Sequence, residues 1–392
     1  MVAHKKPIWL LIIFCFLIVY CGVHLNLSEQ DWLKVFEKTG SDQGREFLYV
    51  ATGNGIYAFR IDKTSGAFSL LNNGPYNETA TFTALGAPRN GKVLLASYAS
   101  SSKYIYIYPI NADGTLAAYG SNPMSNPAQA ISVDPIGRFA AICYMSDVNL
   151  YAYNIDYNLN KLVPVPTGAP YGCGDPNAPN NPLTSAFTPD GQRLYAGINL
   201  LPQVKYFQVD PTTGSLSNPN DALNGSAGVT HILFHPFGKY VYIGDKSTIP
   251  AKIHRYTLLG DGTFSQEGFC QLGSPSTPLG ALAIDPAGRY LFAAAYGAND
   301  TLYSIPIDVN GALSQSNMKI VGAVSFVRKL AVDPSGYFLY MAASYDGAKD
   351  YVKVFGINSD GSLQDLSPYT FSLGTASFPT VSAFDMVIIT KY

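Results

Sequence analysis

The chain has 392 residues, 13% of them charged, and a formal net charge of −2. Beyond the first few residues there is no run of Lys or Arg, so nucleic acid has no electrostatic footprint here. Five cysteines, two of them (Cys15 and Cys21) in an apolar stretch, make no disulfide framework. No Gly-x-Ser-x-Gly, phosphate-binding loop or dinucleotide fingerprint stands between a strand and a helix.

Residues 1–25 read as a segment apart. His4-Lys5-Lys6 is basic, and Ile8 to Val23 is uncharged and mostly Leu, Ile, Phe and Val. Sixteen residues is long for a signal-peptide core and slightly short for a span, so two readings stand: an uncleaved anchor or a cleaved signal. Both predict an exported domain, either membrane-anchored through residues 8–23 or secreted or periplasmic after cleavage. Residues 26–43 read as a linker, with a short helix over Ser28 to Lys38 capped by Ser28.

From Gly44 onward one unit recurs. Gly44, Gly91, Gly137, Gly191, Gly238, Gly288 and Gly336 follow one another at 46 to 54 residues. From the third, each closes a turn with proline, as in Asp285-Pro286-Ala287-Gly288. A second turn follows each glycine by 22 to 25 residues, as at Gly214, Gly262 and Gly311. Between the turns lie short runs suited to a pleated surface, such as Arg289 to Ala295, and the alternating Tyr104-Ile105-Tyr106-Ile107-Tyr108. Four short antiparallel strands per copy predict a propeller blade, labelled A to D from the channel outward.

The first copy has no A strand before its glycine, and Pro379 to Asp385 reads as an A strand without a full turn and B strand after it. Pairing the two closes a ring and removes two sheet edges. The expected fold is therefore an all-β, seven-bladed propeller over 44–392, monomeric, with the N-terminal hydrophobic segment outside it. The longest interval holds the Pro/Gly/Asn-rich stretch 166–182, read as a surface loop on the face where A strands begin. Most of the 28 tyrosines fall in strands B and C, where packing between blades is their expected role. Cys143 is expected to be a buried thiol. Whether Cys173 and Cys270 pair stays open.

The "xPxGrxLyva" openings, such as Pro236 to Tyr242, and the "DxxtGxL" turns, such as Asp210 to Leu216, resemble the seven-bladed lactonase family. That family includes the propeller-type 6-phosphogluconolactonases and the carboxymuconate cyclases. The resemblance covers nearly all of 44–385 and implies a site at the channel mouth built from a His, an Arg-His pair, a Glu and an Arg. Counted from the blade glycines, these fall at Ala130, Leu183-Thr184, about Asn199 and Lys246. Only Lys246 keeps a charge, and it lacks the planar fork of Arg.

Substitutes lie in other blades. His231 stands at the start of its A strand, Arg328-Lys329 fills the Arg-His position of another, and Asp245 and Lys246 follow a B strand. These five are the candidate catalytic residues. His235 and His254 complete the histidines beyond residue 25, but their positions scatter, and no metal or cofactor is expected. Two functions are open. One is a module that binds a small molecule or protein at its loop face, with the lactonase site degenerate. The other is an active lactone hydrolase or lactonising isomerase with a rearranged site.

Overall fold

The computed structural model describes residues 44–391 except 73, 78–79, 100–102, 146, 167–169, 174–181, 199–202, 225–227, 246–249, 274–278, 296–299, 325, 345–349 and 374–382. The expected signal or anchor and the Ser28–Lys38 helix lie outside these residues. Gly44–Tyr392 forms one unit of seven antiparallel sheets. Among the described residues the one helical turn is a 3₁₀ turn at Gln315–Asn317.

The blade unit follows from its turns. In the A–B turn of blade 6, Gly288 N–H donates to the Asp285 carbonyl at 2.9 Å, and Gly288 sits at φ +70°. The Asp285 side chain then accepts from Arg289 N–H at 2.6 Å and from Arg289 Nε at 2.7 Å. Asp134 in blade 3 does the same with Arg138, and Asp333 in blade 7 accepts from Phe338 N–H at 2.7 Å. The aspartate of the Asp-Pro-x-Gly motif is thus a buried cap that satisfies the donors opening strand B. His235 takes that place in blade 5: Nδ1 accepts from Phe237 N–H at 3.3 Å, and Nε2 lies 3.2 Å from the Gly288 carbonyl of blade 6.

The core is divided by seam. Each of seven apolar clusters draws on two successive blades, for example Tyr195, Val204 and Phe207 in blade 4 with their neighbours on either side. Fully buried tyrosines on strand B reinforce four seams. Tyr49, Tyr195, Tyr242 and Tyr340 each donate to the glycine carbonyl of the next blade's C–D turn, at 2.7 to 2.9 Å. The last of these links, Tyr340 to Gly66, joins blade 7 to blade 1. This explains the placing of both the tyrosines and the second glycine.

Closure occurs as expected but in a different register. The closing A strand is Ala383–Lys391, and it pairs with Arg45–Thr52 from Arg45↔Lys391 to Thr52↔Ala383. The apolar run Met386-Val387-Ile388-Ile389, which follows the segment expected from sequence, supplies the middle of the strand and pairs with Phe47 to Val50. Residues 379–382 lie outside the described residues. The 166–182 stretch is also not all loop. Tyr171–Gly172 adds a short strand against Asn149–Leu150, and strand A of blade 4 begins at Pro182. Cys143, Cys173 and Cys270 are all free and buried, with Cys173 and Cys270 in different seams.

Candidate functional site

The seven inner strands share one irregularity. Each slips register after its first residue: Phe82/Ala84, Ala128/Ala130, Pro182/Thr184, Val229/His231, Leu279/Ala281, Val327/Lys329 and, in blade 1, Ala383/Asp385. A bulge re-aims the side chains beside it. Here it recurs at the upper end of every channel strand, where A strands begin. One residue per blade therefore follows the bulge at the same level: Ala84, Ala130, Thr184, His231, Ala281, Lys329 and Asp385. Three of the seven are ionisable, and they come from blades 5, 7 and 1.

His231 belongs to strand A of blade 5 (Val229–Phe234) and pairs with Gly244 across the sheet. The residue is half-buried. Nδ1 lies 3.0 Å from Thr230 Oγ1, and the Thr230 hydroxyl donates to the Gly244 carbonyl at 3.2 Å. A hydroxyl has one proton, so with that proton on Gly244 the Thr230 oxygen must accept from Nδ1–H. The relay fixes the neutral tautomer with its lone pair on Nε2, which has no hydrogen-bond partner among the described residues. Desolvation, with a smaller contribution from the Lys329 charge, pushes the His231 pKa down from 6.5 to about 3. At neutral pH the ring is an unprotonated base.

Lys329, in strand A of blade 7 (Val327–Val332), forms an ion pair with Asp385 at 2.8 Å. Asp385 also accepts from Met386 N–H at 2.8 Å and from Leu85 N–H of blade 2 at 2.9 Å. One carboxylate thus joins blades 7, 1 and 2 and holds the ammonium at the mouth. Arg328 occupies the bulge beside Lys329 and is half-buried. Asp245 is buried at the end of strand B and turns outward, placing Oδ2 3.5 Å from His254 Nε2 on strand C. Of the five candidates, His231, Arg328 and Lys329 therefore share one level, Asp245 pairs with His254 inside the blade, and Lys246 lies outside the described residues. Thr230 and Asp385 were not legible as site residues. The bulge hides Thr230's role, and the misplaced closing strand put Asp385 at the wrong end.

Among the described residues no group of three or more His, Cys, Asp or Glu could hold a metal ion. By register Ala130 and Thr184 each follow the bulge of their own strand.

The fold is a seven-bladed propeller of antiparallel blades. The chain is 25% identical over 283 residues to the 6-phosphogluconolactonase of Erwinia tasmaniensis, covering 69% of this chain and 79% of that one. It superposes on a provisionally assigned 6-phosphogluconolactonase of Bacteroides uniformis with a TM-score of 0.74 at 16% identity, over 89% of this chain and all of that one. The periplasmic gluconolactonase of Pseudomonas aeruginosa gives 0.68 at 17% identity, over 88% and 99%. No family model matches. In sequence and fold the chain is thus similar to propeller-type lactonases, as the blade motifs predicted.

Proposed function

We propose that the protein hydrolyses a lactone, the cyclic ester of a sugar acid, at the upper channel mouth, with His231 as general base. The single observation that carries this is the Gly244–Thr230–His231 relay, which leaves an unprotonated Nε2 at the level where Lys329 supplies positive charge. Water attacks the carbonyl carbon as Nε2 takes its proton. The ring C–O bond then breaks, and the departing oxygen recovers that proton from the imidazolium to give the hydroxy acid. Lys329 stabilises the negative charge on the carbonyl oxygen during addition. Likeness to the lactonases of Erwinia and Pseudomonas supports the substrate class.

A second reading, a module that binds a sugar acid without turnover, is favoured by one observation: Ala130 and Thr184 at the ring level carry no proton-transferring group. A pH-stat assay on glucono-1,5-lactone and its 6-phosphate separates the two. Under the hydrolase reading the rate exceeds the spontaneous background, and His231→Ala lowers it by about a hundredfold or more. Hydrolysis at background, with saturable binding of gluconate, establishes the binding module instead.

A further inference from the structure

Blade 6 separates the base at the mouth from the cation. In blades 2 to 7 the bulge passes over one residue of each inner strand: Thr83, Gln129, Leu183, Thr230, Gly280 and Arg328. Each of these is half-buried or exposed, so each blade offers its bulge residue to the mouth at this level. Blade 5 offers Thr230 beside the His231 imidazole, and blade 7 offers Arg328 beside the Lys329 ammonium. Between them blade 6 offers Gly280, which brings backbone and no side chain. The Lys329 charge is felt at the His231 ring, so the two groups act on a common region across blade 6.

Packing holds this gap open. The residues on either side of Gly280 are both buried. Leu279 belongs to the apolar cluster of blades 5 and 6, and it lies so close to Gly244 that a Cβ on that glycine would stand 2.3 Å from Leu279 Cδ2. Ala281 packs with Val327 and Leu330 in the cluster of blades 6 and 7. The strand is therefore wedged on both flanks, and close packing keeps it from shifting to fill the space over Gly280. Gly244 is also the residue whose carbonyl accepts from Thr230, so the contact that seats Leu279 adjoins the relay that orients His231.

We infer that Gly280 is the seat of the lactone ring and the residue that sets which ring substituents the mouth accepts; the identity of the ligand rests on the function proposed above. Water activated at His231 Nε2 must reach the carbonyl carbon while Lys329 meets the carbonyl oxygen, so the ester group has to span blade 6. A side chain at position 280 would occupy the space in which that ring lies. Glycine leaves it clear and lets the backbone approach the ligand closely.

Two measurements on the full chain test this. Gly280 lies within an extended strand, which a β-branched residue suits, so Gly280→Val fills the seat in a folded ring. It is expected to lower kcat/KM for glucono-1,5-lactone and the affinity for gluconate by about tenfold or more, as extra bulk in a fitted site does. Unsubstituted δ-valerolactone should be affected less. The second measurement is a footprint that needs no turnover. With Cys15→Ser and Cys21→Ser the remaining thiols are the buried Cys143, Cys173 and Cys270, and a probe thiol is added through Gly280→Cys or, across the mouth in blade 3, Gln129→Cys. Gluconate at about ten times its dissociation constant is expected to slow alkylation by iodoacetamide about tenfold at position 280 and leave position 129 unchanged. Loss of gluconate binding in Gly280→Cys alone likewise supports the seat. Protection at 280 without lactone turnover by the wild type upholds the seat and removes the hydrolase reading. Turnover by the wild type with wild-type kcat/KM in Gly280→Val overturns the seat and leaves the hydrolase reading standing. Protection at 129 equal to that at 280 overturns the placing over blade 6, and a wild type that neither binds gluconate nor opens the lactone overturns both.

Discussion

His231 is held in one protonation state and one tautomer by groups that have no other task. The Thr230 hydroxyl spends its only proton on the Gly244 carbonyl, and this forces Nδ1 to donate. Replacing it through Thr230→Val keeps the shape and removes the relay, so both tautomers become accessible. One neutral hydrogen bond contributes about 0.5–1.5 kcal/mol, so lactone turnover is expected to fall about two- to tenfold with KM nearly unchanged. The pH behaviour provides a second readout. The folded ring has its pKa at about 3 against 6.5 for a free imidazole. As pH falls between these values the unfolded chain binds a proton that the folded chain does not. His231 therefore favours the folded state fully above pH 6.5 and loses that contribution progressively down to about 3. His231→Gln should flatten the corresponding part of the melting temperature against pH. In the wild type the acid limb of kcat should fall near pH 3, not near 6.5. An acid limb near 6.5 would remove the desolvated base from the mechanism.

Strands in this molecule are held by pairing within their own blade and by side chains packed across a seam. Tyr242 illustrates this. Its ring fills the blade 5–6 cluster, and its hydroxyl donates to the Gly311 carbonyl at 2.9 Å. Gly311 has φ +74°, and a Cβ there would stand 2.2 Å from the Tyr240 ring, so the turn admits glycine alone. Tyr242→Phe is expected to cost about 0.5–1.5 kcal/mol, measured by denaturant unfolding, and Gly311→Ala more, since it adds strain and a clash to the same seam. These elements were legible in the sequence because their signals are local: Pro, Gly and Asp at fixed offsets set each turn, and alternating side chains set each strand. The closing strand was misplaced because no turn motif follows it, leaving only the apolar run around Met386 to mark it. The site was harder still. His231, Lys329 and Asp385 meet through a one-residue bulge and a ring closure that no local pattern encodes, and Asp245, adjacent in sequence to Lys246, turns away to His254.

At the scale of the whole ring, closure and site share a residue. Asp385 comes from the last strand, accepts from Leu85 N–H about 300 positions earlier, and pairs with Lys329 of blade 7. At the other end of the same strand, Lys391 donates to the carbonyls of Gly91 at 3.0 Å and Ile110 at 2.6 Å in blade 2. The strand is thus pinned at both ends to the blade beyond its own. Asp385→Ala removes the upper pin, leaving a buried Leu85 N–H without its acceptor and Lys329 without its counter-ion. Hydrogen bonds to charged groups contribute about 1.5–3 kcal/mol each, so a loss of at least that size is expected in equilibrium unfolding. Lys391→Met keeps most of the side-chain volume and leaves two carbonyls unpaired far from the mouth. It should lower stability while leaving lactone turnover intact. Asp385→Ala should reduce both, because freeing Lys329 also moves the charge that faces the substrate. Equal effects of the two substitutions on turnover would separate Asp385 from the site and leave it as a clasp alone.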